Sequence, residues 1–147
     1  MTGNDWRRLP YGHMKPYEPW GNVAKMNFYL IYLCDHLREE LNTPLYVTYG
    51  TQGVHKAPWH DRGLAVDAVV DTAKIHPLDV ILAVTRFNFI GFGLIANARH
   101  PKCAQPLGLH LDVRPVKKVV EPQHRWIWYD GKEYPFTNAE LKKHCLI

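Results

Sequence analysis

The sequence has few cysteines, no long apolar run and only a mild excess of one charge over 147 residues. Its three cysteines, Cys34, Cys103 and Cys145, form no C-x-x-C pair, so neither a disulfide framework nor a cysteine-rich zinc site is expected. No stretch approaches the roughly 18 apolar residues of a membrane span. The net charge of +4 comes without a clustered Lys/Arg stripe. A nucleic-acid-binding domain is therefore the least favoured class, although an anionic polymer would suit the charge.

The first 21 residues predict an irregular arm. Pro10, Pro16 and Pro19 interrupt this segment, and it contains no apolar run of the kind that a secretory signal peptide requires. Its aromatic content, with Trp6 and Trp20 among four such residues, is unlike that of a disordered tail. We expect the arm to pack on its own domain, and docking onto a partner protein is the alternative.

Residues 22–147 predict one small domain of the α+β class. Apolar residues recur at steps of three and four from Met26 to Leu41, which predicts a helix with Asn22 as its N-cap and Asn42 at its end. A second helix should have Pro77 in its first turn and continue to Asn88. Strands are expected at 45–49, 63–70, 89–95 and 109–113.

A hairpin and a short helix are expected over residues 126–147. The strands 126–129 and 132–136 flank Asp130-Gly131, a dipeptide that tolerates the positive φ of a two-residue turn. Thr137 and Glu140 have the spacing of a capping box. The whole pattern indicates a small antiparallel-rich sheet with helices packed on it.

Asp67 is the first residue that indicates a functional site, because it interrupts an apolar strand. A carboxylate there is unfavourable unless it is paired or binds a metal. His60 lies seven positions earlier, and the small residue Gly63 between them allows a close approach. Pairing of Asp67 with Arg62 or Arg114 is the alternative explanation.

A second polar group lies in the strand 109–113. Alternation along this strand places His110, Asp112 and Arg114 on one face. Two imidazoles and one carboxylate form a known catalytic zinc set. The candidate site would therefore lie on the sheet and combine His60 and Asp67 with His110.

The segment His60-Asp61-Arg62-Gly63-Leu64-Ala65-Val66-Asp67 resembles the H-x-x-G-x-A-x-D motif of the D-alanyl-D-alanine carboxypeptidase family of zinc peptidases. That family includes bacterial cell-wall carboxypeptidases and phage endolysins, and it shares a zinc scaffold with hedgehog signalling domains. The similarity continues in order, over about residues 45–126, in Val47-Thr48-Tyr49-Gly50, Gly91-Phe92-Gly93-Leu94, His110-Leu111-Asp112-Val113-Arg114 and Arg125-Trp126.

The resemblance implies a function and a ligand set. His60, Asp67 and His110 would bind Zn²⁺, and the substrate would be a peptidoglycan stem peptide. The bond cut would be the terminal D-Ala-D-Ala bond or one within the stem. Without a signal peptide, the protein would be made in the cytoplasm and act on the bacterial cell wall as a phage endolysin or virion-associated lysin.

Three positions depart from the family pattern. Pro58 replaces a serine two residues before the first ligand, and Gln52 stands where an arginine is common in the substrate loop. Gln52 is therefore a candidate substrate-binding residue. Leu107 stands three residues before His110, where many members carry the carboxylate that activates water, and a leucine cannot accept a proton. Asp112 is the candidate for a substitute base, with orienting a ligand as its alternative role.

These departures leave a second interpretation open, in which the chain is a catalytically weak or inactive virion- or cell-wall-associated structural protein on the same fold. Its 1–21 arm would then be the segment that contacts other virion proteins. His55, Asp61 and His100 are the remaining polar residues near the motifs, and each taken alone indicates a structural or solvated side chain.

Overall fold

The computed structural model describes residues 1–52, 58–115 and 123–147. Helices and strands follow one another along the chain as α1 (Gly3–Trp6), a 3₁₀ turn (Val23–Lys25), α2 (Phe28–Leu41), β1 (Leu45–Tyr49), β2 (Ala65–Asp71), α3 (Pro77–Arg86), β3 (Gly91–Ile95), β4 (Pro106–Asp112), β5 (His124–Tyr129), β6 (Lys132–Pro135) and α4 (Asn138–Lys143). The predicted α+β class is confirmed.

The six strands form one mixed sheet in the order β1-β2-β4-β3-β5-β6. Each neighbouring pair is antiparallel except β3 and β5, which run parallel. The expected pairing of the two strands that carry candidate ligands is confirmed, because β2 and β4 are antiparallel with Asp67 directly opposite His110. The turn between β5 and β6 has positive φ at Asp130 (47°) and Gly131 (76°), as the dipeptide predicted.

One face of the sheet packs against α2 and α3. The core that they share contains alternate residues of the two central strands: Val66, Ala68, Val70, Leu107, Leu109 and Leu111. Because successive side chains of a strand point to opposite faces, Asp67 and His110 lie on the face away from these helices. The packing of the core thus decides on which side of the sheet the polar group lies.

Helix α2 begins later than the sequence pattern indicates. Its N-cap is Asn27, whose side-chain oxygen accepts a hydrogen bond from the Leu30 amide at 3.1 Å. Asn22, the predicted cap, precedes the 3₁₀ turn and makes no capping bond. The Asn27 amide donates to the Gly63 carbonyl at 2.9 Å, which ties the start of the helix to the turn before β2. The predicted end is confirmed, because Asn42 is left-handed with a φ of 47°.

Other bounds differ from the predicted ones by a few residues. β2 cannot begin at Gly63, whose φ of +70° is incompatible with a strand, and it runs from Ala65 to Asp71. α3 ends at Arg86 instead of Asn88, since Phe87 is already extended. α4 has the predicted cap, with the Thr137 hydroxyl accepting from the Glu140 amide.

The N-terminal arm joins the same core. Leu9, Met14 and Trp20 are buried in it. The fully buried carboxylate of Asp35 on α2 accepts backbone N–H bonds from four consecutive arm residues, 11–14, at 2.6–3.2 Å. A carboxylate satisfies this many donors better than any neutral side chain, so Asp35 is the principal polar attachment of the arm.

Replacement of this carboxylate should therefore destabilise the domain. Asp35→Ala leaves four backbone donors without their acceptor, and we expect it to lower the free energy of unfolding by about 3 kcal/mol. Asp35→Asn, which keeps one acceptor oxygen, should have a smaller effect. Urea denaturation measures both, with the exposed Glu133→Ala as the control for loss of a carboxylate. Wild-type stability of Asp35→Ala would contradict this attachment of the arm.

Candidate metal centre

Three polar side chains converge on the face of the sheet away from α2 and α3. His110 Nδ1 lies 2.8 Å from Asp67 Oδ1, and His60 Nε2 lies 3.2 Å from His110 Nδ1. The third separation, from His60 Nε2 to Asp67 Oδ1, is 3.4 Å. Tetrahedral zinc with bonds of about 2.0–2.1 Å separates its ligand atoms by about 3.3 Å. Each residue contributes one donor atom, and the group could hold a metal ion.

The sheet register places two of the three residues. Asp67 and His110 are Cα partners on neighbouring antiparallel strands, and the sequence neighbours of both point into the core. On the neighbouring strand β3, which pairs with β4 on the side away from β2, Gly93 lies opposite His110. A Cβ at Gly93 would stand 2.5 Å from the ring of Trp126, so glycine there allows the indole to lie beside His110, with 5.2 Å between ring centroids.

A tight turn over residues 58–63 places His60. The Gly63 amide donates to the His60 carbonyl at 2.8 Å, and the left-handed φ of Gly63 lets the chain turn back into β2. Any other residue would place its Cβ against the Lys25 carbonyl. The His60 ring is 2% exposed, and its Nδ1 donates to the Gly50 carbonyl at 2.8 Å. That bond orients the ring so that Nε2 faces Asp67 and His110.

Asp112 approaches His110 from the opposite side of the ring. Its Oδ2 lies 3.3 Å from His110 Nε2, whereas Asp67 lies next to Nδ1. The Asp112 carboxylate is fully buried and accepts hydrogen bonds from Arg114, whose Nε is 2.8 Å and 3.0 Å from its two oxygens. Asp112, the predicted substitute base, thus faces the Nε2 atom of His110, away from Asp67, a position that suits its alternative role of orienting this candidate ligand.

Arg114 is itself held between two indoles. Its guanidinium carbon lies 5.5 Å from the ring centroid of Trp59 and 5.6 Å from that of Trp126. Gly91 of β3 leaves the space for this ion pair, because a Cβ there would stand 2.5 Å from Asp112 Oδ2. Hydrogen bonds and ring contacts therefore extend from the candidate ligand His110 through Asp112 to Arg114.

Ionisation of the cluster is set by burial and by its hydrogen bonds. Burial alone would raise the pKa of Asp67, but hydrogen bonds to His110 and His60 outweigh it and lower that pKa. Burial would lower the pKa of His110, yet the hydrogen bonds to Asp112 and Asp67 raise it. Burial would also raise the pKa of Asp112, but its hydrogen bonds to Arg114 and His110 outweigh this effect and lower that pKa. Two anionic carboxylates thus favour a cation between them, either a proton on His110 or a metal ion.

Leu107 lies in the core. It is three residues before His110 on a regular strand, and an odd spacing puts a residue on the opposite face. A carboxylate in its place would therefore also point into the core. Strand geometry, in addition to the chemistry of leucine, keeps this position away from the three candidate ligands.

The side chain of Gln52 is hydrogen-bonded to the backbone around it. Its Oε1 accepts from the Gly50 amide at 2.8 Å, and its Nε2 donates to the carbonyls of Pro19 and Thr48. These bonds tie the arm to the segment after β1, which is a structural role.

Of the remaining polar candidates, His55 lies outside the described residues, and Asp61 is exposed. His100 stacks on Tyr46, with ring centroids 4.8 Å apart, and its Nδ1 is 3.8 Å from the Cys103 sulfur.

Sequence reasoning missed two supports of the ligands. The Gly50 carbonyl that orients His60 is a main-chain group, so no side chain in the sequence indicates this contact. The placement of Arg114 between two tryptophans depends on the space left by Gly91 and Gly93. These two glycines are two residues apart on β3 and share one face of the sheet, and this spacing could have indicated close packing there.

Comparisons with known proteins return no relative: no family model, no curated protein and no solved structure matches this chain. Over the part of the chain that the structure describes, no helix combines the length and apolar character needed to cross a membrane. The family resemblance therefore continues to rest on the motifs and remains a prediction.

Removal of any one of the three donors should abolish tight metal binding. We expect the wild type to bind one zinc ion per chain, and His60→Ala or His110→Ala to weaken its binding by more than about 100-fold, because loss of a ligand exceeds the effect of losing an orienting partner. Competition with a chromophoric chelator measures the affinity, and circular dichroism checks the fold. His13→Ala, which removes a partly buried histidine paired with Glu39, is the control. Equal affinities in all variants would contradict this metal centre.

Zinc affinity should also fall as the pH falls. A proton and the metal compete for His110, and the raised pKa of this histidine starts that competition at a higher pH than the usual value of 6.5. Below the pKa of His110, we expect about a tenfold loss of affinity per pH unit for each proton displaced. Asp112→Asn removes a group that raises the pKa of His110 and should move the loss to lower pH. An affinity that does not change over this range would contradict the competition.

Proposed function

We propose that this chain is a zinc-dependent peptidase that cleaves bacterial peptidoglycan, either as a D-Ala-D-Ala carboxypeptidase or as a stem-peptide endopeptidase. The observation that carries the proposal is the convergence of His60 Nε2, Asp67 Oδ1 and His110 Nδ1 within 3.4 Å of one another. These are the residues that the resemblance to the D-alanyl-D-alanine carboxypeptidase family names as ligands.

The donor set supports zinc over other common metal ions. Calcium and magnesium prefer sites built mainly of oxygen, whereas two imidazoles and one carboxylate suit zinc. Structural zinc sites usually use four protein ligands, and three leave a coordination position open for reaction. The described residues offer three.

Zinc at this site would supply Lewis acidity, polarising a scissile carbonyl and making water more acidic. The chain's own residues supply orientation. Gly50 holds the ring of His60 through its carbonyl, and Asp112 holds that of His110. A cavity of about 450 Å³ is lined in part by Asp67, so a substrate would have room beside this carboxylate. This volume is within the range of small-ligand sites.

The proposed place of action is the bacterial cell wall, reached as a phage endolysin or virion-associated lysin. The mild positive charge of the chain suits an anionic cell-wall polymer.

A catalytically weak or inactive structural protein on the same fold is the second candidate, and one observation favours it. The described residues that line the cavity include no carboxylate other than Asp67, which is already used as a ligand. A protein of this kind would keep the metal and bind wall peptides without cutting them.

Digestion of purified sacculi separates the two candidates. We expect the zinc-loaded wild type to release peptides and His60→Ala to release none, because it lacks a ligand. Asp112→Asn should lower the rate by about 10- to 100-fold through loss of ligand orientation. Liquid chromatography with mass spectrometry identifies the products and the bond cut.

Asp79→Asn on α3 is the matched control, because it removes an exposed carboxylate far in sequence from the motifs. It should digest sacculi like the wild type. A folded, zinc-loaded wild type that releases no peptide at any pH would overturn the peptidase proposal in favour of the structural protein.

A further inference from the structure

One of the proposed metal ligands, Asp67, borders a cavity that contains one cationic side chain. Asp67 lines it together with Arg99 and His100 from the β3–β4 loop. Arg99 is the single Lys or Arg among the described residues of its lining, and it is exposed. Within the described ranges, no carboxylate forms an ion pair with Arg99, in contrast to Arg38 and Arg114.

The β3–β4 loop carries Arg99 back over the site face of the sheet. Gly108 of β4 makes this possible, because a Cβ there would lie 2.9 Å from the Cβ of Ala98. Ala98, the residue before Arg99, therefore stands directly over Gly108. Gly108 precedes the ligand His110 by two residues on a regular strand, so this part of the loop is about 7 Å from His110 along the strand.

The end of a peptide can span an offset of this size. A terminal carboxylate is about one residue, or 3.8 Å, beyond the scissile carbonyl carbon. A guanidinium nitrogen that binds it adds about 2.8 Å. The 7 Å offset is between backbone positions, and the side chain of Arg99 lies between the loop and the carboxylate it would bind. An arginine also pairs with a carboxylate through two parallel N–H bonds, which gives it the geometry for this group.

We propose that Arg99 binds the free C-terminal carboxylate of the peptide whose last amide lies at the metal ligands. This inference rests on the proposed peptidase function and makes it more specific, since it favours removal of a C-terminal residue over cleavage within a chain. The position that commonly carries arginine in the resembling family is Gln52 here, and its amide is bonded to the backbone of Gly50, Thr48 and Pro19. Arg99 reaches the cavity from a different loop.

A pair of peptides that differ in one group tests the proposal by binding. The probes are N-acetyl-D-alanyl-D-alanine with a free carboxylate and the same peptide as its carboxamide. Chemical-shift titration of the zinc-loaded protein measures both dissociation constants. We expect the acid to bind about five- to tenfold more tightly than the amide, because an exposed pair with bidentate geometry contributes modestly. Arg99→Gln should abolish the preference, and Arg99→Lys should keep part of it.

Lys102→Gln is the matched control, because it removes a positive charge from the same loop at a residue that does not line this cavity. It should keep the preference for the acid. Equal binding of the acid and the amide, unchanged preference in Arg99→Gln, or no binding of either peptide would each overturn the inference. Digestion of sacculi into internal fragments alongside equal binding would leave the peptidase proposal intact and show that only the role of Arg99 is wrong.

Discussion

The site depends on a carboxylate in the middle of a sheet. Asp67 is flanked on β2 by residues that are buried in the core, and alternation sends its own side chain to the other face, opposite His110. An isolated charge there would be strongly unfavourable. Its hydrogen bonds to two imidazoles remove much of that penalty, and a metal ion would remove more. The fold and the candidate metal centre therefore share one requirement, which is that β2 and β4 keep this register.

Around this pair, each candidate histidine ligand is held by a group that would not itself contact the metal. A backbone carbonyl fixes His60, and a buried carboxylate paired with Arg114 fixes His110. Glycines at 91, 93 and 108 leave the room for these contacts and for the loop that crosses the site face. Such partners set the orientation of ligands and their affinity for the metal. The preorganisation of the site is thus a property of the sheet and its loops as much as of the three ligands.

Sequence reasoning found the features that repeat with a regular period. Alternation and motif order placed Asp67 beside His110, and the helix stripe placed α2 on the sheet. It failed where two residues of equal propensity competed, as with Asn22 and Asn27, because the deciding contact comes from the distant Gly63. The anchor of the arm by Asp35 and the backbone bonds of Gln52 were equally invisible, since their partners are main-chain atoms of segments far apart in sequence. Tertiary contacts of this kind leave no local pattern.

X-ray absorption at the zinc edge of the loaded wild-type protein tests the central claim most directly. The three-residue centre predicts a first shell of nitrogen and oxygen only, at about 2.0–2.1 Å, with the scattering pattern of two imidazoles. Loss of one imidazole in His110→Ala would support the assignment further. A sulfur scatterer at about 2.3 Å, which would indicate a cysteine ligand such as Cys103, or an unchanged shell in His110→Ala would contradict it.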